Sequence, residues 1–89
     1  MKRIFYVEDD LSLINGLSFA IKKQGYEIDI ARTSSEAENL WMNGKYDLVI
    51  LDVSLPDGSG CDLCKKIRQN SKVPIIFLTA ADEETDIDR

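Results

Sequence analysis

Leu48-Val49-Ile50-Leu51-Asp52 sets four apolar residues in succession before a carboxylate. An unbroken apolar run of this length reads as a strand of a parallel sheet, covered on both faces. In open α/β sheets the working groups lie just past the carboxyl ends of such strands. Asp52 therefore stands where a reactive side chain belongs. Ile4-Phe5-Tyr6-Val7 runs into Glu8-Asp9-Asp10 in the same way, and Ile75-Ile76-Phe77-Leu78 runs into Thr79. Three strands that each deliver a polar group to one edge predict an acidic pocket flanked by a hydroxyl.

Between these runs the chain alternates strand and helix signals, the βαβ pattern of a parallel sheet. Leu13, Ile14, Leu17, Ala20 and Ile21 share one helical face. Lys22-Lys23-Gln24-Gly25 then supplies the cations and the glycine that suit a helix C-terminus. Glu27 to Ala31 alternates as a short second strand. Ser35-Glu36-Ala37-Glu38 has the spacing of a capping box, with Ala37, Leu40 and Trp41 as the inward stripe and Gly44 as the stop. The central strand, Leu48 to Val53, is followed by the turn-rich Leu55-Pro56-Asp57-Gly58-Ser59-Gly60. A third helix turns Leu63, Cys64 and Ile67 inward, and Pro74 opens a fourth strand. Asp82-Glu83-Glu84 has the character of the cap and acidic first turn of a fourth helix. Asp10 reads as a solvated or capping charge and Asp57 as a turn former; Tyr6, Trp41 and Phe77 read as packing residues.

With 89 residues the chain is expected to form one domain, residues 1–89. Its 44% hydrophobic and 30% charged content excludes a disordered chain. A net charge of -5 argues against these residues gripping nucleic acid or an anionic membrane themselves. No run approaches the roughly 20 apolar residues of a membrane span. The opening Met1-Lys2-Arg3 and its short apolar sequel are too brief and too acidic for a signal peptide, so a cytoplasmic setting is expected. Glu8, Asp9, Asp10, Asp52 and Asp57 concentrate charge around the expected pocket. Such a cluster repels itself unless a cation neutralises it, which points to a divalent metal. Cys61 and Cys64 form a Cys-x-x-Cys, but two thiols in a chain without histidine cannot complete a tetrahedral zinc site. Their place within a helix, well after a strand, favours one buried and one partly exposed helix residue.

Taken in order, these residues resemble the receiver domain of bacterial two-component response regulators, from end to end of the chain. Glu8-Asp9 resembles the family's acidic pair. Asp52, in Asp-Val-Ser-Leu-Pro-Asp-Gly-Ser-Gly, resembles its phospho-acceptor, with Pro56 and Gly60 in place. Thr79, in Phe-Leu-Thr-Ala, resembles its switch hydroxyl. Thr79-Ala80-Ala81-Asp82-Glu83-Glu84 looks most like receivers joined to winged-helix DNA-binding domains of the OmpR/PhoB type. The resemblance implies an α/β fold, a doubly wound parallel sheet of the flavodoxin-like, CheY-like kind. The strands are expected in order 2-1-3-4, with helix 1 on one face, helices 2 and 3 on the other, and the start of a fourth helix.

The resemblance also implies a chemistry. Asp52 would accept a phosphoryl group from a cognate sensor histidine kinase, as a signalling domain rather than an enzyme that turns over. Mg2+ would be held by Asp9 and Asp52 directly, by Glu8 mainly through water, and by the backbone carbonyl of Ser54. Thr79 would donate its hydroxyl to a phosphoryl oxygen and pass the change to an output, expected to be transcriptional regulation. DNA would be met only through an output domain outside this chain, and no membrane is expected as a partner.

Receivers of this family also carry a fifth strand with a lysine, and a last helix, which these residues lack. The chain is therefore expected to be a truncated receiver, with an open fourth strand and uncovered apolar surface. A homodimer or a strand-swapped oligomer would hide that surface. Three other readings compete. A haloacid-dehalogenase-type phosphotransferase would want a second aspartate where Ser54 stands. A flavodoxin-like cofactor binder would want a glycine- or hydroxyl-rich loop where Glu8-Asp9-Asp10 stands, because carboxylates repel phosphate. A receiver-like module that no longer signals would draw support only from the missing lysine and the truncation.

Overall fold

A computed structural model describes residues 2–78. The elements run β1 (Arg3–Val7), α1 (Leu11–Lys23), β2 (Glu27–Ala31), α2 (Ser34–Asn43), β3 (Leu48–Asp52), β4 (Ser54–Leu55), β5 (Gly58–Ser59), α3 (Gly60–Asn70) and β6 (Ile75–Leu78). Four of the strands form a parallel sheet in the order β2-β1-β3-β6. With β6 as the fourth long strand, this is the expected 2-1-3-4 order. Pro74 sits just ahead of β6, and its carbonyl accepts the Val49 N–H at 2.9 Å.

The two faces of the sheet carry separate cores, as strand alternation requires. Phe5, Val7, Val49 and Leu51 point to one side, where Ala37 of α2 and Leu63 and Ile67 of α3 cover them. Ile4, Tyr6 and Ile50 point to the other, under Ile14 of α1. Leu63 and Ile67 are fully buried, each stabilising the fold by about 1.5–3 kcal/mol relative to exposure. Helix 1 on one face and helices 2 and 3 on the other is the expected layering.

The structure departs from the sequence reading in particulars. Ile14 is buried and Leu17 and Ile21 are half-buried, but Leu13 is 53% exposed and Ala20 is exposed. These two line an open apolar groove with Tyr6, Leu17 and Leu78. Phe77, expected to pack, is exposed on β6, the outermost strand. The α2 cap lies two residues earlier than expected: the Thr33 hydroxyl accepts the Glu36 N–H, and the Glu36 carboxylate accepts the Arg32 N–H. The pair that satisfies the orphan donors is thus Thr33 with Glu36 rather than Ser35 with Glu38. β3 ends at Asp52, and the segment after it forms a small β4–β5 hairpin with Pro56 and Asp57 at its turn. Of the cysteines, Cys61 is exposed and Cys64 half-buried, both free. Gly25 adopts φ 93°, a left-handed conformation that ends α1 as the sequence predicts. The expected fourth helix lies outside the described residues.

Candidate functional site

Parallel register decides which side chains meet at the carboxyl edge of the sheet. Val7 is paired with Leu51, so the residues that follow them, Glu8 and Asp52, emerge side by side. Asp52 is itself paired with Leu78, the last described residue of β6. Thr79, the expected switch hydroxyl, lies outside the described residues.

Glu8 is only 2% exposed and is the one charged residue in the buried set among the described residues. Its carboxylate accepts the Asp10 N–H at 3.1 Å and its carboxyl group is hydrogen-bonded to the Asp52 side chain. Burial pushes the Glu8 carboxyl up to about 7, the Asp10 N–H opposes that shift, and the charge of Asp52 adds to it. Burial and the neighbouring carboxylate thus favour the neutral form of Glu8. Asp9 is half-buried beside them, and Asp10 caps α1 by accepting the Ser12 and Leu13 N–H groups, as expected of it.

At this edge Arg32 went unread in the sequence, and Asp57 was read only as a turn former and a charge near the pocket. Arg32, just past β2, donates from its guanidinium to the Asp9 carbonyl at 2.9 Å, tying the β1–α1 loop to the neighbouring strand end. Asp57 accepts the N–H groups of Ser34 and Ser35 at 2.6 and 3.1 Å. These bonds lower its carboxyl below the usual range, the Ser34 N–H foremost. The turn former thus also clamps the β4–β5 hairpin to the start of α2, where the helix dipole favours a negative charge. Neither contact has a local sequence signature, because each partner lies 22 or 23 positions away.

Gly60, the first residue of α3, donates its N–H to the Val53 carbonyl at 2.8 Å. A β-carbon there would collide with the carbonyl of Asp52. Glycine is what lets the helix start directly behind the acidic site. Ser54 opens β4, two residues past Asp52, and pairs with Ser59.

The donor set suits a hard cation. All the candidate ligands are oxygen, and a buried carboxyl that retains a proton beside Asp52 marks a place where positive charge is wanted. Among the described residues no three His, Cys, Asp or Glu side chains gather into a ready-made ion cage. The three carboxylates expected to share one ion, Glu8, Asp9 and Asp52, are not gathered as such a set.

A parallel sheet in 2-1-3-4 order, acidic at its carboxyl edge, is the arrangement expected of a receiver. The family model described as response regulator receiver domain matches residues 4–89, and the chain belongs to that family. Among curated relatives, the sensory transduction protein RegX3 of Mycolicibacterium smegmatis is 38% identical over 86 residues, 97% of this chain and 38% of that protein. RegX3 of Mycobacterium tuberculosis matches with the same identity and coverage. The chain thus spans less than two fifths of the length of these relatives. Among solved structures, the non-phosphorylated HemR receiver domain from Leptospira biflexa superposes with a TM-score of 0.84 at 40% identity, over 94% of this chain and 68% of that one. The response regulator TrrA from Thermotoga maritima, solved in complex with Mg2+-BeF, gives 0.82 at 41% identity, over 89% and 70%.

Proposed function

We propose that this chain is the phospho-accepting part of a two-component signalling protein, with Asp52 as acceptor and a sensor histidine kinase as donor. The observation that carries the reading is the placement of Glu8 and Asp52 on adjacent strand ends, with the buried Glu8 carboxyl raised to about 7. A carboxylate oxygen of Asp52 forms a bond to phosphorus as the phosphorus–nitrogen bond of the donor histidine breaks. The bonding pair returns to the imidazole nitrogen. The product is an acyl phosphate, one per chain, made for signalling rather than turnover.

Glu8, Asp9 and Asp52, with the backbone carbonyl of Ser54, would hold Mg2+. When bound, the ion neutralises charge on the phosphoryl oxygens and the acidic side chains. Arg32 keeps the Asp9 loop in place from behind. Thr79 would donate its hydroxyl to a phosphoryl oxygen and relay the change. Within this reading residues 1–89 are the N-terminal part of the receiver, working in the cytoplasm. The output is transcriptional, through a DNA-binding domain of the OmpR/PhoB winged-helix kind; the likeness to RegX3 supports this. Among the described residues no helix is long and apolar enough to cross a membrane.

Intact-protein mass after incubation with acetyl phosphate tests the reading. A gain of one phosphoryl group that requires Mg2+ and disappears in Asp52→Asn is expected. No gain, or a gain that survives the substitution, overturns it.

A further inference from the structure

Cys61 and Cys64 take no part in the acidic edge, yet Cys61 directly follows Gly60, which packs against the Asp52 carbonyl. They are three residues apart in α3, an 11-residue helix, so they occupy neighbouring positions with β-carbons about 5–6 Å apart. Both thiols are free, Cys61 open to solvent and Cys64 half-buried against the α2–α3 core. One turn of helix brings the Cα atoms within the span a disulfide bridges, but the β-carbons must close to about 4 Å. The backbone of the first turn has to give. A disulfide closed at that cost is readily reduced again, the property of a labile bond rather than a structural one.

We propose that Cys61 and Cys64 form a vicinal dithiol, a modification site that closes into an intrahelical disulfide by exchange with a low-molecular-weight disulfide such as glutathione disulfide. Exposure fixes the order of attack. The Cys61 thiolate forms a bond to one sulfur of the oxidant, the oxidant's sulfur–sulfur bond breaks, and the departing thiolate takes up a proton. Cys64, having released its proton to solvent, then attacks the Cys61 sulfur and expels the second glutathione. Two protein thiols are oxidised and one disulfide is reduced to two thiols. Lys65, four residues along from Cys61 and exposed, favours an anionic oxidant at that position.

Closure reaches the site through short links. The Cys61 N–H is held by the Ser59 hydroxyl at 3.1 Å. The Gly60 N–H is held by the Val53 carbonyl at 2.8 Å, with Gly60 packed against the Asp52 carbonyl. Pulling Cys61 toward Cys64 disturbs the turn that supports Asp52. This second consequence rests on the reading of Asp52 as acceptor; the thiol chemistry does not.

The test treats reduced protein with glutathione disulfide and follows intact mass without reductant. The wild type is expected to lose two hydrogens and keep no glutathione. Cys64→Ser, or Cys64→Ala if serine unsettles the core, should retain one glutathione on Cys61, and Cys61→Ser should react about tenfold more slowly. Glutathione kept by the wild type, disulfide-linked dimers, or two unreacted thiols would overturn the proposal. Acetyl phosphate labelling of the same samples should slow severalfold on oxidation, and not in the double serine variant. If labelling is absent in every form while the mass loss occurs, the acceptor reading fails and the dithiol stands. Normal labelling without the mass loss sinks the dithiol alone.

Discussion

Gly60 packs so closely behind Asp52 that a β-carbon on the glycine would lie 2.9 Å from the aspartate's carbonyl carbon and closer still to its oxygen. Both atoms belong to backbone, which cannot swing away as a side chain can. Gly60→Ala is therefore expected to destabilise the fold by at least about 2 kcal/mol, read from the urea midpoint. Phosphoryl labelling of the surviving folded fraction should also fall. An unchanged midpoint would mean that α3 slides away from β3 at little cost.

The raised Glu8 carboxyl makes stability depend on pH in a stated direction. Its folded value is about 7 and its ordinary value 4.5, so between them the native state keeps a proton that the unfolded chain has lost. The corresponding stability is fully present below pH 4.5 and is lost as pH rises through 7, a few kcal/mol in all. Urea midpoints in chelator should fall over this window. Glu8→Gln should remove most of the slope, and saturating Mg2+ should flatten it.

Tyr6 is fully buried, and its hydroxyl has no hydrogen-bond partner among the described residues. Burial pushes the phenol up to about 12, and the charges of Glu8, Asp52 and Asp10 add to the shift. An unpaired buried hydroxyl is a cost rather than a support. Tyr6→Phe is expected to be neutral or to raise stability by about 1 kcal/mol. A clear loss on thermal unfolding would reveal a partner for that hydroxyl.

Arg32 meets the acidic loop through the Asp9 carbonyl. Arg32→Ala should weaken Mg2+ binding about tenfold, the low end of what is seen when a group that positions a ligand is removed. The urea midpoint should barely move, because the side chain is exposed. Calorimetric titration of Mg2+ into both proteins checks it.

Much of this architecture was legible because its causes are local. The apolar runs ending in Asp52 and Glu8 announce buried parallel strands, and the residue after each run must emerge at the same edge. The strand order and the layering of the helices followed the resemblance, and the sheet bears them out. What escaped was set by partners distant in sequence. The carboxylate of Asp57 caps a helix that begins more than 20 residues earlier, so its spacing to any cap position carries no signal. Leu13 has the period of a buried residue but borders an open groove beside Tyr6 and Leu78. The Thr33 cap lost out to Ser35 in the sequence because both offer a hydroxyl three residues before a glutamate. Only the end of β2 decides between them.

The order β2-β1-β3-β6 has a consequence for how the chain is made. β1 leaves the ribosome first, yet it is an inner strand with a neighbour on each side. Its pairing with β2 closes over residues 3–31, but its other flank waits for residues 48–51. During that interval the strand Ile4-Phe5-Tyr6-Val7 presents an unpaired backbone edge flanked by large, mostly apolar side chains. A nascent chain halted between α2 and β3 should therefore be the species most prone to self-association and most in need of a chaperone.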